Sequence, residues 1–181
     1  MQLAWPGGFS APTSLLTLVR FHTKINGTIS DNQEDIAMQH THAQLKRYNH
    51  LLGELEAVYH DLSYQLGMSD SVSKILYTLC SEGGPCRISD ICLRSGLSKQ
   101  TANSALRKLE TDGLIYLESA GRKAKTVCLT EAGTSFAQKT AMRILDMENE
   151  ILTSWAPEEV TQYMDLTERF LLALRERTAK L

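Results

Sequence analysis

The stretch "GLSKQTANSALRKLETDGLI", residues 96–115, decides the fold of this chain. It begins with a glycine turn, continues with Ser98 as a candidate helix cap, and ends with a second glycine before an apolar run. The Ser98 hydroxyl can accept hydrogen bonds from backbone N–H groups of the first helical turn. The apolar residues between the two glycines recur at spacings of three and four, so they form one face of a helix. These residues are Ala102, Ala105, Leu106 and Leu109.

The opposite face of the same helix carries only uncharged polar and cationic side chains. No carboxylate occurs before Glu110, although a solvated helix usually mixes both signs of charge. Amide, hydroxyl and guanidinium groups are the types that contact DNA phosphates and base edges. We therefore expect this face to bind double-stranded DNA. The candidate DNA-binding residues of the cap and the helix are Ser98, Lys99, Gln100, Thr101, Asn103, Ser104, Arg107 and Lys108.

The segments on either side of this helix predict a winged helix-turn-helix. A short helix after Ser89 leads into an "SG" turn, where Gly96 suits the left-handed conformation that other residues adopt only at a cost. After Gly113, the runs "LIYLES" and "KTVCLT" are rich in β-formers and flank "AGRKA". This pattern predicts a two-stranded hairpin with a basic tip, whose Arg122 and Lys123 are further candidate DNA-binding residues.

Helical patterns flank the winged helix-turn-helix on both sides. Apolar residues recur at helical spacing from about residue 33 to residue 66, and again after Thr130 in one helix that runs through Trp155. A last helix has Pro157 in its first turn and is expected to bury Val160, Met164, Leu171 and Leu174. The fold class is thus mainly α with a small β-hairpin. The expected domains are an N-terminal extension of uncertain structure (1–32), an N-terminal dimerisation helix (33–68), the winged helix-turn-helix DNA-binding domain (69–130) and the C-terminal dimerisation helices (131–181).

Charge is segregated along the chain. Residues 87–125 carry eight Lys and Arg against four Asp and Glu, whereas the whole chain has a net charge of -2. This balance excludes a uniformly basic nucleic-acid coat but leaves a local basic surface at the winged helix. There is no CxxC pair, no secretory signal and no apolar run long enough for a membrane span. We expect a cytoplasmic protein with reduced thiols and no membrane partner.

The segments "LSKQTANSALRKLETDGLI" and "GRKAKTVCLTEAG" resemble the winged helix-turn-helix of the MarR family of bacterial transcription regulators. The "LTEAG" stretch is similar to the family's signature at the junction of the second wing strand and the next helix. The resemblance covers about residues 48–140 by motif and continues to Leu181 by helix order. It implies an obligate homodimer that binds a near-palindromic operator. It also implies a small-molecule or oxidant effector that relieves DNA binding.

The wing departs from the family pattern at its tip. The family usually has a longer wing with an Asp-x-Arg triplet, whereas Gly121, Arg122 and Lys123 occupy the aligned positions here. The acid that would fix the wing arginine is therefore missing.

The flanking helices carry more apolar residues than one small winged helix needs to cover. The stripes on residues 33–66 and 140–178 include several aromatic residues, Trp155 among them. This excess independently predicts a homodimer.

No catalytic triad and no glycine-rich phosphate loop is present, so we expect neither an enzyme nor a bound cofactor. His40 and His42 are two residues apart and would face different ways on a helix, and no cysteine joins them at metal-ligand spacing. The sequence therefore predicts no metal site.

The cysteines leave one alternative open. Cys80, Cys92 and Cys128 have apolar neighbours and are expected to be small core residues. Cys86 is expected in a loop beside Arg87, whose charge would favour the thiolate. Two alternatives to an effector-responsive DNA-binding regulator therefore remain. One is a winged-helix protein-interaction module without DNA binding, and the other is a redox-sensing regulator that uses Cys86.

Overall fold

The computed structural model describes residues 15–119 and 125–181. Helices dominate this part of the chain, with three short strands that form one antiparallel sheet. This architecture confirms the predicted fold class, a mainly α winged helix-turn-helix. The elements are α1 (Leu15–Gln65), α2 (Asp70–Ser81), β1 (Cys86–Arg87), α3 (Ile88–Ser95), α4 (Lys99–Thr111), β2 (Ile115–Ser119), β3 (Lys125–Leu129), α5 (Glu131–Lys139), α6 (Ala141–Thr153) and α7 (Pro157–Thr178).

The chain divides into two compact units, Met1–Glu56 and Ala57–Leu181. In the first unit the described residues belong to α1, which begins at Leu15. The extension predicted over residues 1–32 is therefore helical from Leu15 onward, and its first 14 residues lie outside the described part. The segment "NGT" at residues 26–28 has a composition that favours turns, yet it does not end the helix, because an interior glycine costs a helix only about 1 kcal/mol relative to alanine. No helix in the described part combines the length and hydropathy that a membrane crossing needs.

The core of the second unit lies among the helices and strands of the winged helix-turn-helix. α2 contacts α3, α4, α5 and α6, and α4 also packs against β2. The four apolar residues predicted for one face of α4 are all buried, which confirms the helical stripe. The largest fully buried side chains are Ile75, Leu76, Ile91, Leu109 and Val127.

The sheet has three strands in the order β1-β3-β2, rather than the two strands of the predicted hairpin. β2 and β3 pair antiparallel from Ile115 opposite Leu129 to Ser119 opposite Lys125. The additional strand places Cys86 opposite Val127, in a segment that the sequence predicts to be a loop. A strand of two residues is too short to show alternation, and its partner lies about 40 residues further along the chain.

The "LTEAG" stretch joins the wing to α5 through a close backbone contact. The Thr130 hydroxyl donates to the Gly113 carbonyl at 2.7 Å and accepts from the Gly133 N–H at 2.9 Å. A Cβ atom at Gly133 would stand 1.8 Å from the carbonyl oxygen of Leu114. Only glycine fits there, so this residue is required for the approach of α5 to the end of α4.

The helix predicted to run from Thr130 through Trp155 is interrupted. α5 ends at Lys139, and Thr140 leaves the helical conformation with φ -129° and ψ -89° before α6 begins. The Thr140 hydroxyl donates to the Phe136 carbonyl at 2.8 Å, so it satisfies an acceptor that the helix end leaves open. Trp155 lies beyond the end of α6.

A carboxylate ties three helices of the second unit together. The hydroxyls of Tyr59 on α1 and Tyr77 on α2 both donate to the carboxylate of Glu148 on α6. Burial, followed by the hydrogen bond to Glu148, raises the pKa of Tyr59 to about 12. The same two causes raise the pKa of Tyr77. Both phenols therefore stay protonated and donate at neutral pH.

α7 begins as predicted, with Pro157 in its first turn, but it buries no residue within this chain. Val160 is half-buried, and Met164, Leu171 and Leu174 are exposed. The prediction that these four side chains lie inside is wrong for a single chain, because no other element packs closely along α7 in the described structure.

Candidate nucleic-acid interface

A tight turn sets the angle between α3 and α4. Gly96 ends α3 in the left-handed conformation, with φ 67°. The Ser95 hydroxyl donates to the Ile91 carbonyl at 2.6 Å and accepts from the Leu97 N–H at 3.3 Å. These bonds confirm the predicted helix-turn-helix and fix the direction in which α4 leaves the turn.

Ser98 caps α4 as predicted. Its hydroxyl accepts from the Thr101 N–H at 3.1 Å and lies 2.8 Å from the Thr101 hydroxyl. The cap satisfies one of the backbone donors that every helix leaves open at its N-terminus. Two hydroxyls of the candidate interface are thus held in place by each other and by the helix backbone.

The polar face of α4 is entirely exposed, whereas its apolar face is entirely buried. Its three cations form no ion pair with any residue that the structure describes. The nearest carboxylate on the helix, Glu110, lies in its last turn. The face is therefore a continuous array of donors and positive charge. The exposed residues are Lys99, Gln100, Thr101, Asn103, Ser104, Arg107 and Lys108.

The wing extends the same surface through β2 and β3. The last described pair of the ribbon is Ser119 with Lys125. The candidate wing residues Arg122 and Lys123 lie outside the described residues, which stop at 119 and resume at 125.

A groove of about 580 Å³ lies between β1 and α3 on one side and α4 and β3 on the other. We call it the basic groove, because three of its lining residues are cationic and none is acidic. Arg87, Ser89 and Lys125 belong to this surface, although the α4 pattern does not reveal them. In the sequence, the excess of positive charge over residues 87–125 is the one sign of Arg87 and Lys125. The groove is lined by Arg87, Ile88, Ser89, Cys92, Lys99, Asn103 and Lys125.

Cys86 does not have the surroundings of a reactive thiolate. It lies in β1 and is 6% exposed. Burial raises the pKa of its thiol, and the charges of Asp90 and Glu82 raise it further against the opposing effect of Arg94. The Arg87 guanidinium pairs instead with Asp90, at 3.6 Å between Nε and Oδ2. A backbone hydrogen bond from Arg87 lowers this pKa, but burial and the two carboxylates outweigh it, so the expectation that the charge of Arg87 favours a Cys86 thiolate is wrong.

The remaining cysteines differ in burial, and one histidine contacts a carboxylate. Cys128 is buried as predicted, whereas Cys80 and Cys92 are only half-buried. His60 Nδ1 lies 3.0 Å from the Asp70 carboxylate, and this hydrogen bond raises the pKa of His60. Among the side chains that the structure describes, no three His, Cys, Asp or Glu come together as a metal site would require.

Solved structures share this fold. A MarR family regulator from Neisseria meningitidis is 20% identical, with a TM-score of 0.64, and the match covers 76% of this chain and 96% of that chain. MepR from S. aureus, solved as a complex with DNA, is 22% identical, with a TM-score of 0.55 and coverage of 70% and 94%. PcaV from Streptomyces coelicolor, solved with its natural ligand, is 21% identical, with a TM-score of 0.53 and coverage of 70% and 92%. The fold thus defines the class, a winged helix-turn-helix protein.

A comparison with sequence models indicates the MarR family over one part of the chain. Residues 66–125 match the sequence model of the MarR family. This segment runs from the end of α1 through the helix-turn-helix to the start of β3. No curated protein matches the chain significantly. The model match confirms the resemblance over residues 66–125, and the shared fold extends it to the order of the helices and strands.

Proposed function

We propose that this chain regulates transcription by binding an operator through α4, and that it is not an enzyme. The observation that carries the proposal is the polar face of α4. It is wholly exposed, lacks a carboxylate from Lys99 to Leu109, and is anchored by a wholly buried apolar face. Groups of this type contact DNA phosphates and base edges. The family match, and the shared fold with MepR, which was solved with DNA, support the proposal.

The positions along α4 divide the contacts into two kinds. In a helix-turn-helix complex the second helix enters the major groove with its N-terminal residues leading. Side-chain amides can pair bidentately with adenine, whereas cations mainly contact phosphates. Ser98 holds the first turn through its bond to the Thr101 N–H, and Thr101 offers its methyl group to thymine or its hydroxyl to a phosphate. Gln100, Asn103 and Ser104 then face base edges, Lys99, Arg107 and Lys108 face phosphates, and Arg122 and Lys123 of the wing contact the backbone or the minor groove.

The active form in this proposal is a homodimer on a near-palindromic operator. α7 exposes a row of large apolar side chains, which soluble monomers rarely do over a wide area. Met164, Leu166, Leu171 and Leu174 are 43–49% exposed. A second copy of the chain would bury them. A two-fold dimer would place its half-sites about one helical turn of DNA apart, roughly 10 base pairs from centre to centre.

A small-molecule effector completes the proposal. PcaV was solved in complex with its natural ligand, and its fold is shared by this chain. A redox effector acting on Cys86 is the weaker alternative, since its thiol is buried beside carboxylates that disfavour the thiolate.

Selection from a random duplex library, followed by fluorescence anisotropy, tests the proposal. The full chain should enrich a sequence with two related half-sites. Gln100→Ala should weaken binding to the selected duplex by about tenfold, near the lower end of the 1–3 kcal/mol expected for a base contact. Gln138→Ala is the matched control, because Gln138 is an exposed glutamine on α5. Selection that enriches no duplex would contradict DNA recognition and favour the protein-interaction module.

A further inference from the structure

The basic groove is a second feature of the winged helix that the polar face of α4 does not account for. Its cations come from three different elements: Arg87 from β1, Lys99 from α4 and Lys125 from β3. No single one of these elements supplies the whole groove. The fold brings them together because β1 pairs with β3 and α3 turns into α4.

The lining of the groove fits a chain of phosphates better than a single small anion. Ile88 and Cys92 supply apolar surface, which the sugar of a nucleotide can cover. Ser89 and Asn103 add neutral hydrogen-bonding groups beside the cations. Lys99 and Asn103 belong both to the groove and to the polar face of α4, so the two surfaces are continuous.

We propose that the basic groove holds a stretch of the operator's sugar–phosphate backbone, next to the base pairs that α4 contacts. Arg87, Lys99 and Lys125 surround a phosphate there, and these contacts fix the register of α4 on the duplex. The inference rests on the proposed function, since it requires duplex DNA as the partner. It adds Arg87, Ser89 and Lys125 to the residues that bind DNA.

Asp90 restrains one of the three cations. It pairs with Arg87 at 3.6 Å, but the side chains are 66% and 42% exposed. A pair this long and this exposed is weak, so Arg87 can exchange the carboxylate for a phosphate. Asp90 therefore competes with DNA for Arg87 and lowers the affinity of the groove.

The first test uses variants of the full chain in which one cation is replaced by a neutral residue. Their binding is measured on the selected operator and on an unrelated duplex of the same length. Arg87→Gln and Lys125→Gln should each weaken binding to both duplexes by about tenfold, as expected when a hydrogen bond to a charged group is removed. Each should also reduce the salt dependence of log K by about one unit for each phosphate that the variant no longer neutralises.

Arg94→Gln is the matched control. It removes the same charge from α3, but Arg94 pairs with Glu82 at 2.7 Å and does not line the groove. Asp90→Asn should act in the opposite direction and tighten binding severalfold. That gain should shrink in the Arg87→Gln background, because the two side chains interact directly.

The second test uses Cys92 as a reporter inside the groove. Duplex DNA should slow alkylation of Cys92 by iodoacetamide, measured by mass spectrometry of its peptide. Cys80 is also half-buried but does not line the groove, so its rate should not change. Free inorganic phosphate at the same phosphate concentration should protect Cys92 much less.

The outcomes separate the inference from the proposed function. Loss of operator binding in Gln100→Ala, together with unchanged affinity and salt slope in Arg87→Gln and Lys125→Gln and no protection of Cys92, would overturn the groove alone. A wild-type chain that binds neither duplex would overturn both. Weaker binding to both duplexes, a smaller salt slope and protection of Cys92 would establish the groove.

Discussion

α4 and α7 are both amphipathic helices, yet the chain treats their apolar faces in opposite ways. The apolar face of α4 is buried against the core, with Ala102 and Leu109 at most 1% exposed. α7 buries no residue, and Leu171 and Leu174 remain 43% and 49% exposed. The same pattern in the sequence thus leads to two different environments.

The difference assigns a different task to each helix. Because the core of its own chain covers the apolar side of α4, that helix offers only its polar side to a partner. α7 offers an apolar side, which calls for another apolar surface such as a second copy of the chain. The comparison therefore separates the DNA partner, proposed for α4, from the protein partner, proposed for α7.

Truncating one leucine in each helix should give the largest difference between α4 and α7. Leu109→Ala should lower the free energy of unfolding by about 2–5 kcal/mol, because it leaves a cavity in a well-packed core. Leu171→Ala should instead weaken the dimer while leaving the fold of each chain intact. Urea denaturation and sedimentation velocity measure the two effects. Equal losses of unfolding free energy without any change in dimerisation would place α7 in the core of its own chain.

A polar substitution on α4 should leave the fold unchanged and affect only DNA. Asn103 is exposed on α4. Asn103→Ala should cost about 1–3 kcal/mol in operator binding and relax the base preference at one position of each half-site. Anisotropy with a panel of single-base operator variants tests this expectation. A uniform loss across all duplexes would instead identify Asn103 as a backbone contact.

The cap of α4 has two effects, because it stabilises the fold and also orders the first turn, which would lead into the major groove of DNA. Ser98→Ala should cost about 1 kcal/mol of stability, since the Thr101 N–H loses its acceptor. Ser98→Asp retains an acceptor at the cap and should recover the stability, but it places a negative charge beside DNA. Thermal unfolding and operator binding of the two variants should therefore diverge.

The smallest effect is expected at the polar pair of His60 and Asp70. These two side chains bind each other within the chain, whereas the polar face of α4 is left open for a partner. The hydrogen bond to Asp70 raises the pKa of His60 above its ordinary value of 6.5. A raised pKa contributes stability that is fully present below pH 6.5 and is lost as the pH rises through the folded-state pKa. The wild-type chain should therefore become slightly less stable as the pH rises through the pKa of His60. His60→Gln should remove this pH dependence. Urea midpoints measured on both sides of the titration test it, and an unchanged pH dependence would contradict it.

Local features of the sequence predict much of the fold. The stripe of α4, the Ser98 cap, the turn at Gly96 and Pro157 at the start of α7 are each set by residues close together in the chain, and the structure confirms them. β1 is not predictable in this way, since its two residues owe their conformation to pairing with β3. The interruption at Thr140 also lacks a glycine or proline signal.

The candidate site is also predictable only where its residues are set by the local sequence. The exposed residues of α4 follow from helical periodicity alone. Arg87, Ser89 and Lys125 are far apart in the sequence or lie off the helix, and only the folded chain brings them to one groove. The Cys86 expectation is wrong for the same reason. The adjacent Arg87 suggests a thiolate, but burial raises the pKa of the thiol, and the Asp90 carboxylate, which pairs with that arginine, raises it further.

The role of α4 in DNA recognition can be tested by operator binding of a variant in which Gln100, Asn103 and Arg107 are all changed to alanine. All three side chains are exposed on α4, so the variant should remain folded and keep the oligomeric state of the wild-type chain. Anisotropy should detect no specific binding of this variant to the selected operator at concentrations that saturate the wild-type chain. Operator binding as tight as that of the wild-type chain would contradict the assignment of α4 as the recognition helix.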